Sequence, residues 1–138
     1  GVITTTMISC DSSGRLEIRD IEKSIRLNTK LIVCTHASNV IGAVLPVEKI
    51  SELAWKNDLL FLLDAAQTAG SIPLNLQEIK PHLAAFTGHK GLLGPPGVGL
   101  LYVHKGVKLK PWREGGQAAD RKKNGNLRSC LIIWKRAL

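Results

Sequence analysis

The sequence predicts an α/β fold, a mostly parallel sheet with flanking helices, and three observations carry that prediction. Short apolar runs without polar alternation recur at Leu31 to Cys34, Leu59 to Leu63 and Leu83 to Phe86. Segments of helical period separate the runs, and polar residues gather directly after each. Strands alternating with helices in this way build parallel sheets with helices on their faces.

Val2 to Ile8, rich in β-branched residues, reads as an opening strand. Leu16 to Leu27 places Ile18, Ile21 and Ile25 three and four apart among charged residues, the pattern of an amphipathic helix. Leu31 to Cys34 then fits a strand covered on both faces, and the loop from Thr35 to Gly42 follows it. Pro46 suits a first helical turn, with Val47, Ile50, Leu53 and Ala54 on one side of the helix it opens. Leu59 to Leu63 is the next strand, ending at Asp64, and Ile72 to Leu74 reads as a short one. Asn75 can cap a helical turn through Ile79, Leu83 to Phe86 ends at Thr87, and Gly99 to Val103 closes the series.

A chain of 138 residues with 44% hydrophobic content is the size of one domain able to bury a core. It starts without Met inside an expected strand, which suggests a piece of something longer. With no apolar run near the ~20 residues of a membrane-spanning helix and no charged-then-apolar leader, a soluble, cytoplasmic protein is expected. Cys10, Cys34 and Cys130 are odd in number and lack CxxC spacing, so neither a disulfide framework nor a metal site is expected. The net charge of +8 is concentrated in the tail, where residues 117–138 hold six Lys or Arg against one Asp, while residues 1–116 hold 13 basic against 10 acidic. That tail offers electrostatic steering but no groove-reading motif, so no specific nucleic-acid function is expected.

The chemistry concentrates where the strands end. Open α/β sheets bind ligands at the carboxyl edge, and there stand His36 and Asn39, then Asp64 and Gln67, then Thr87, His89 and Lys90. Lys90 is a candidate Schiff-base lysine, because an amine works covalently on a carbonyl cofactor once it is held in place and sometimes deprotonated. Pyridoxal phosphate also needs a carboxylate facing its ring nitrogen, and Asp64 can supply it. Taken singly, each of these residues is more often a surface lysine, a turn aspartate or a solvated glutamine. The glycines after Lys90 do not form a nucleotide loop: no GxxxxGK with Ser or Thr is present, and GxGxxG counted from Gly97 would need glycine at Tyr102. Gly94 to Gly97 instead shape a turn into the next strand.

Taken in order, the texts DSSGRLEIRDIEKSIRLNTKLIV, THASNVIGAVLP, DAAQTAGSIPL, AFTGHKGLLGPPGVGLLYV and LKPWREGG resemble the class V aminotransferase-fold enzymes that use pyridoxal phosphate, and in particular the cysteine desulfurase and selenocysteine lyase branch. The resemblance covers residues 1–116 and implies part of the large cofactor-binding domain of a fold-type I enzyme. It implies that Lys90 bonds covalently to the cofactor and later shuttles protons, that Asp64 keeps the pyridine nitrogen protonated, and that Gln67 hydrogen-bonds the ring hydroxyl. Thr87 and His89 would donate to the phosphate, Asn39 would contact the ring hydroxyl or the substrate, and His36 would be structural. The implied reaction converts cysteine to alanine and enzyme-bound sulfur, with selenocysteine as a related substrate and a homodimer as the full-length assembly. Aminotransferases and kynureninase-like hydrolases are competing readings, because the cofactor performs the shared chemistry and the substrate residues lie outside this chain, and a non-enzymatic remnant is the alternative of another class.

The family's N-terminal phosphate loop, its ring-stacking residue and its small domain with the sulfur-accepting thiol have no counterpart in this text. The isolated chain is therefore expected to retain cofactor weakly and not to turn over cysteine. After Glu114, Gly115 and Gly116 the family text breaks off at Gln117, so residues 117–138 are expected to be out-of-frame or otherwise unrelated sequence.

Overall fold

The computed structural model describes residues 3–110. Four strands, β1 (Leu31–Thr35), β2 (Leu60–Asp64), β3 (Leu83–Thr87) and β4 (Gly99–Val103), form one sheet in that spatial order. The β1–β2 and β2–β3 pairs are parallel and β3–β4 is antiparallel. The helices are α1 (Ile18–Ser24), α2 (Val47–Lys56) and the single turn α3 (Leu76–Ile79).

Why α2 forms is plain in its residues. Pro46 precedes it, Glu48 sits in its positive first turn and Lys56 in its negative last turn. Val47, Ile50, Ser51, Leu53 and Ala54 are buried on one side, the stripe that helical period demands. For α3 the stop and start signals are local: Asn75 Oδ1 accepts the Gln77 N–H at 3.0 Å, and Lys80 turns left-handed at φ 53°. Helix α1 is shorter than its periodicity suggests. No side chain caps it at Glu17, and the backbone is already extended at Ile25.

All three helices cover one face of the sheet. Phe61 and Leu63 of β2 and Ala84 of β3 are fully buried there, in one cluster with Ile21, Ile50, Leu53 and Ile79. The alternate residues point the other way. On that side Leu31 is 45% exposed, Val33 62% and Leu60 38%. The expectation that β1 is covered on both faces is thus corrected: among the described residues β1 ends the sheet, and of its five residues Ile32 and Cys34 are the ones that pack against the core. The expected flanking helices are present, and among the described residues they lie on one face.

Two expected strands are absent among the described residues. Residues 3–8 join no ladder, although Ile8 packs against the core. Ile72 to Leu74 follows a turn and joins no ladder. β-Propensity alone makes no strand without a neighbour to pair with. The tail from 117 onward lies outside the described residues. Among those described, no helix is long and apolar enough to cross a membrane.

Candidate functional site

The parallel strands β1, β2 and β3 all end at the same edge, and each hands over to a polar loop there. Register places Thr35 beside Asp64 and Asp64 beside Ala85. Because Leu63 and Phe86 face the helices, alternation puts Asp64 and Thr87 on the open side of the sheet. Asp64 is half-buried, and its Oδ1 accepts the Ala66 N–H at 2.9 Å, which fixes the carboxylate at the head of the turn that carries Gln67.

That turn is held from both sides. The Ala65 N–H donates to Ala85 O at 2.9 Å, and the Thr68 and Ala69 N–H groups fold back on Ala65 O at 3.1 and 3.0 Å. Behind it, Gly70 at φ +79° lies against Gly91 so closely that a Cβ on Gly70 would strike the Gly91 carbonyl. The converse holds as well, since a Cβ on Gly91 would come 2.5 Å from Ala69 O. Two glycines therefore let the turn after β2 press backbone to backbone on the loop after β3, one residue from Lys90.

The loop from Gly88 to Gly94 is itself tightly closed. Gly88 N–H donates to Val98 O at 2.8 Å, Gly94 N–H to Gly88 O at 2.7 Å and Leu93 N–H to Lys90 O at 2.8 Å. Leu93 adopts φ 55° while 92% exposed, a costly conformation for a bulky residue and one the loop closure enforces. Thr87 Oγ1 and His89 Nδ1 hydrogen-bond at 2.9 Å, so the two groups expected to meet a phosphate stand side by side.

Asn39 sits exposed at the tip of the loop after β1, beyond the Ala37–Val44 bridge. His36 is 5% exposed, its ring Nδ1 lying 2.9 Å from Thr68 Oγ1. Burial lowers its pKa, against a smaller opposing pull from Glu48. Asp64 and Thr87 at strand ends, and Gln67, His89, Lys90 and Asn39 on the loops that follow, thus all stand at one sheet edge. The Thr68 contact and the Gly70–Gly91 packing were not foreseen from the sequence; the only trace of them is that Thr68 and Gly70 share the text DAAQTAG with Asp64.

The donor set fits pyridoxal phosphate in kind. It offers an anion for the ring nitrogen, an amide for the ring hydroxyl, a hydroxyl and an imidazole for the phosphate, and an amine for the aldehyde.

The family model for class V aminotransferases matches residues 2–131. The chain belongs to that family. A cysteine desulfurase, IscS, of Dictyoglomus turgidum is 38% identical over 93% of this chain, and a probable cysteine desulfurase of Pyrococcus abyssi is 37% identical over 71%. These alignments span 32% and 24% of the relatives. Among solved structures, a NifS-like protein superposes with a TM-score of 0.73 at 34% identity, covering 80% of this chain and 31% of that one. The apo cysteine desulfurase of Thermococcus onnurineus gives 0.68 at 37% identity over 72% of this chain and 25% of its own. The chain thus spans about a third or less of the curated relatives and solved structures named here. The α/β core described above is part of a fold-type I aminotransferase-family domain.

Proposed function

We propose that this chain carries the lysine and aspartate side of a pyridoxal phosphate site in a cysteine desulfurase-like enzyme. One observation supports this most: the turn bearing Asp64 and Gln67 is packed at Gly70 against the loop bearing Lys90 at Gly91. Residues far apart in the chain are thereby fixed on one edge. Bound there, pyridoxal phosphate supplies the electron sink that weakens bonds in an amino acid held on it.

The chain's own residues do the rest. Asp64, its carboxylate steadied by the Ala66 N–H, holds a proton on the ring nitrogen. Gln67 would donate to the ring hydroxyl, and Asn39 would contact the ring hydroxyl or the substrate. Thr87 and His89 meet the phosphate as a pair, and Lys90 supplies the amine that bonds the cofactor and afterwards moves protons at the substrate.

Cysteine is the substrate this reading favours, supported by relatives named cysteine desulfurases and by a structural neighbour at 34% identity described as a complex with cysteine. Alanine and a protein-bound sulfur are its products, and the working assembly is a homodimer of the longer enzyme. Weak cofactor retention and no turnover of cysteine are expected of these 138 residues by themselves.

The test is reductive trapping. The purified chain is incubated with pyridoxal phosphate, reduced with borohydride, digested and mapped by mass spectrometry. Lys90 should carry the label well above every other lysine, and Asp64→Asn should lower its share. Uniform labelling across the lysines would refute the assignment.

A further inference from the structure

His36 is joined to three segments at once. Its backbone N–H donates to Asp64 O at 2.8 Å, its carbonyl accepts the Leu45 N–H at 2.9 Å, and its ring reaches Thr68 Oγ1 at 2.9 Å. The first tie holds the end of β2, the second closes the loop that bears Asn39, and the third grips the turn that bears Gln67. The two backbone ties belong to the chain path and survive any side chain. The ring bond, by contrast, depends on the side chain at position 36.

That ring bond is also the one with no substitute nearby. Thr68 is 2% exposed and His36 5%, so water has little access to either group. The other partner of the Thr68 hydroxyl, Ala65 O, lies at 3.4 Å, a weak contact. A buried hydroxyl deprived of its good partner is destabilised locally, and the turn it belongs to is the one pressed on the Lys90 loop.

We propose that His36 is a positioning residue for the site, acting through Thr68 to hold the 64–71 turn, and with it Asp64 and Gln67, in register with Lys90. The site's role as a cofactor pocket rests on the reading above; the tie itself does not.

Amide hydrogen exchange on the unloaded full chain tests the tie. In His36→Ala and in the near-isosteric Thr68→Val, exchange at Thr68, Ala69 and Ser71 should rise by about tenfold, while Phe61 and Leu63 in the core of β2 stay within about threefold of the parent. His36→Asn, whose amide sits close to the position of the ring Nδ1, should restore slow exchange, and the two loss variants combined should do no more than either alone. Borohydride trapping then asks whether the tie serves the site: selective labelling of Lys90 should fall in both loss variants and return in His36→Asn. Unchanged exchange at the turn, an equal rise throughout the core, or labelling that persists while the turn loosens would each overturn the proposal. Failure of the parent chain to label Lys90 would instead remove the cofactor reading and leave the exchange result standing.

Discussion

Gly91→Ala is the sharpest probe of how the two loops meet. The new methyl would sit 2.5 Å from Ala69 O and closer still to Ser71 Oγ, and 3.0 Å from the Gly70 carbonyl carbon. The serine can rotate away; the backbone carbonyl cannot. Ordinary contact needs roughly 3.4 Å or more, so the turn after β2 and the loop after β3 must part by close to an ångström. Inserting a methyl into a packed junction costs about 1–3 kcal/mol, which for a chain of this size lowers Tm by roughly 3–15 °C. Stability alone is not the point, so Ile50→Val serves as the control: it removes one methylene from a fully buried residue of α2, at about 0.5–1.5 kcal/mol, away from both loops. Thermal melts and borohydride trapping are run on both. Gly91→Ala should lose selective Lys90 labelling, whereas Ile50→Val should keep it at comparable stability. Parent-like labelling and Tm in Gly91→Ala would show that the loops do not press together as described.

Three further outcomes follow from particular residues. Burial lowers the pKa of His36 and of His82, whose ring is pushed down further by His104 and partly restored by Asp58; the unfolded chain therefore takes up protons first, so stability is full above the ordinary value of 6.5 and falls as pH drops below it, which urea midpoints at pH 7.5, 6.5 and 5.5 will register and His82→Asn with His36→Asn will flatten. Asn75→Ala removes the oxygen that receives the Gln77 N–H and should cost about 1 kcal/mol in urea denaturation; no change would mean the single turn of α3 is held by packing alone. Val33→Lys, on the open face where Val33 is 62% exposed, should reduce concentration-dependent self-association in sedimentation velocity, and an unaltered profile would place the contact elsewhere.

Much of this architecture is legible in the residue order because local signals agree with tertiary ones. Val47, Ile50, Leu53 and Ala54 after Pro46 specify α2, and the runs ending at Asp64 and Thr87 specify β2 and β3 to within a residue. Where local signals stand alone they mislead. Val2 to Ile8 has the composition of a strand, but residues 3–8 find no ladder; and the apolar run at Leu31 looks doubly covered, yet nothing among the described residues packs on Val33. Of the candidate site, the strand-end residues are visible in the text as polar groups after apolar runs. The His36–Thr68 bond is not, because it joins residues brought together only by the parallel pairing of β1 and β2. Nor is the stack of Trp55 on His82, with ring centres 4.1 Å apart, or the Phe61 N–H donated to His82 Nδ1 at 3.2 Å. The stack depends on where α2 ends near the start of β3, and the hydrogen bond on the pairing of β2 with β3.

The strict alternation in β2 has a consequence for how the chain can vary. Leu63 and Asp64 are neighbours whose side chains go to opposite sides of one sheet, one into the apolar core and one onto the open face. A slip of a single residue against β1 or β3 would exchange them, burying a carboxylate beneath α2 and leaving the open edge without its acid. Insertions and deletions are therefore excluded from its five residues, where spacing and chemistry are the same constraint, and from the packed turn that follows it.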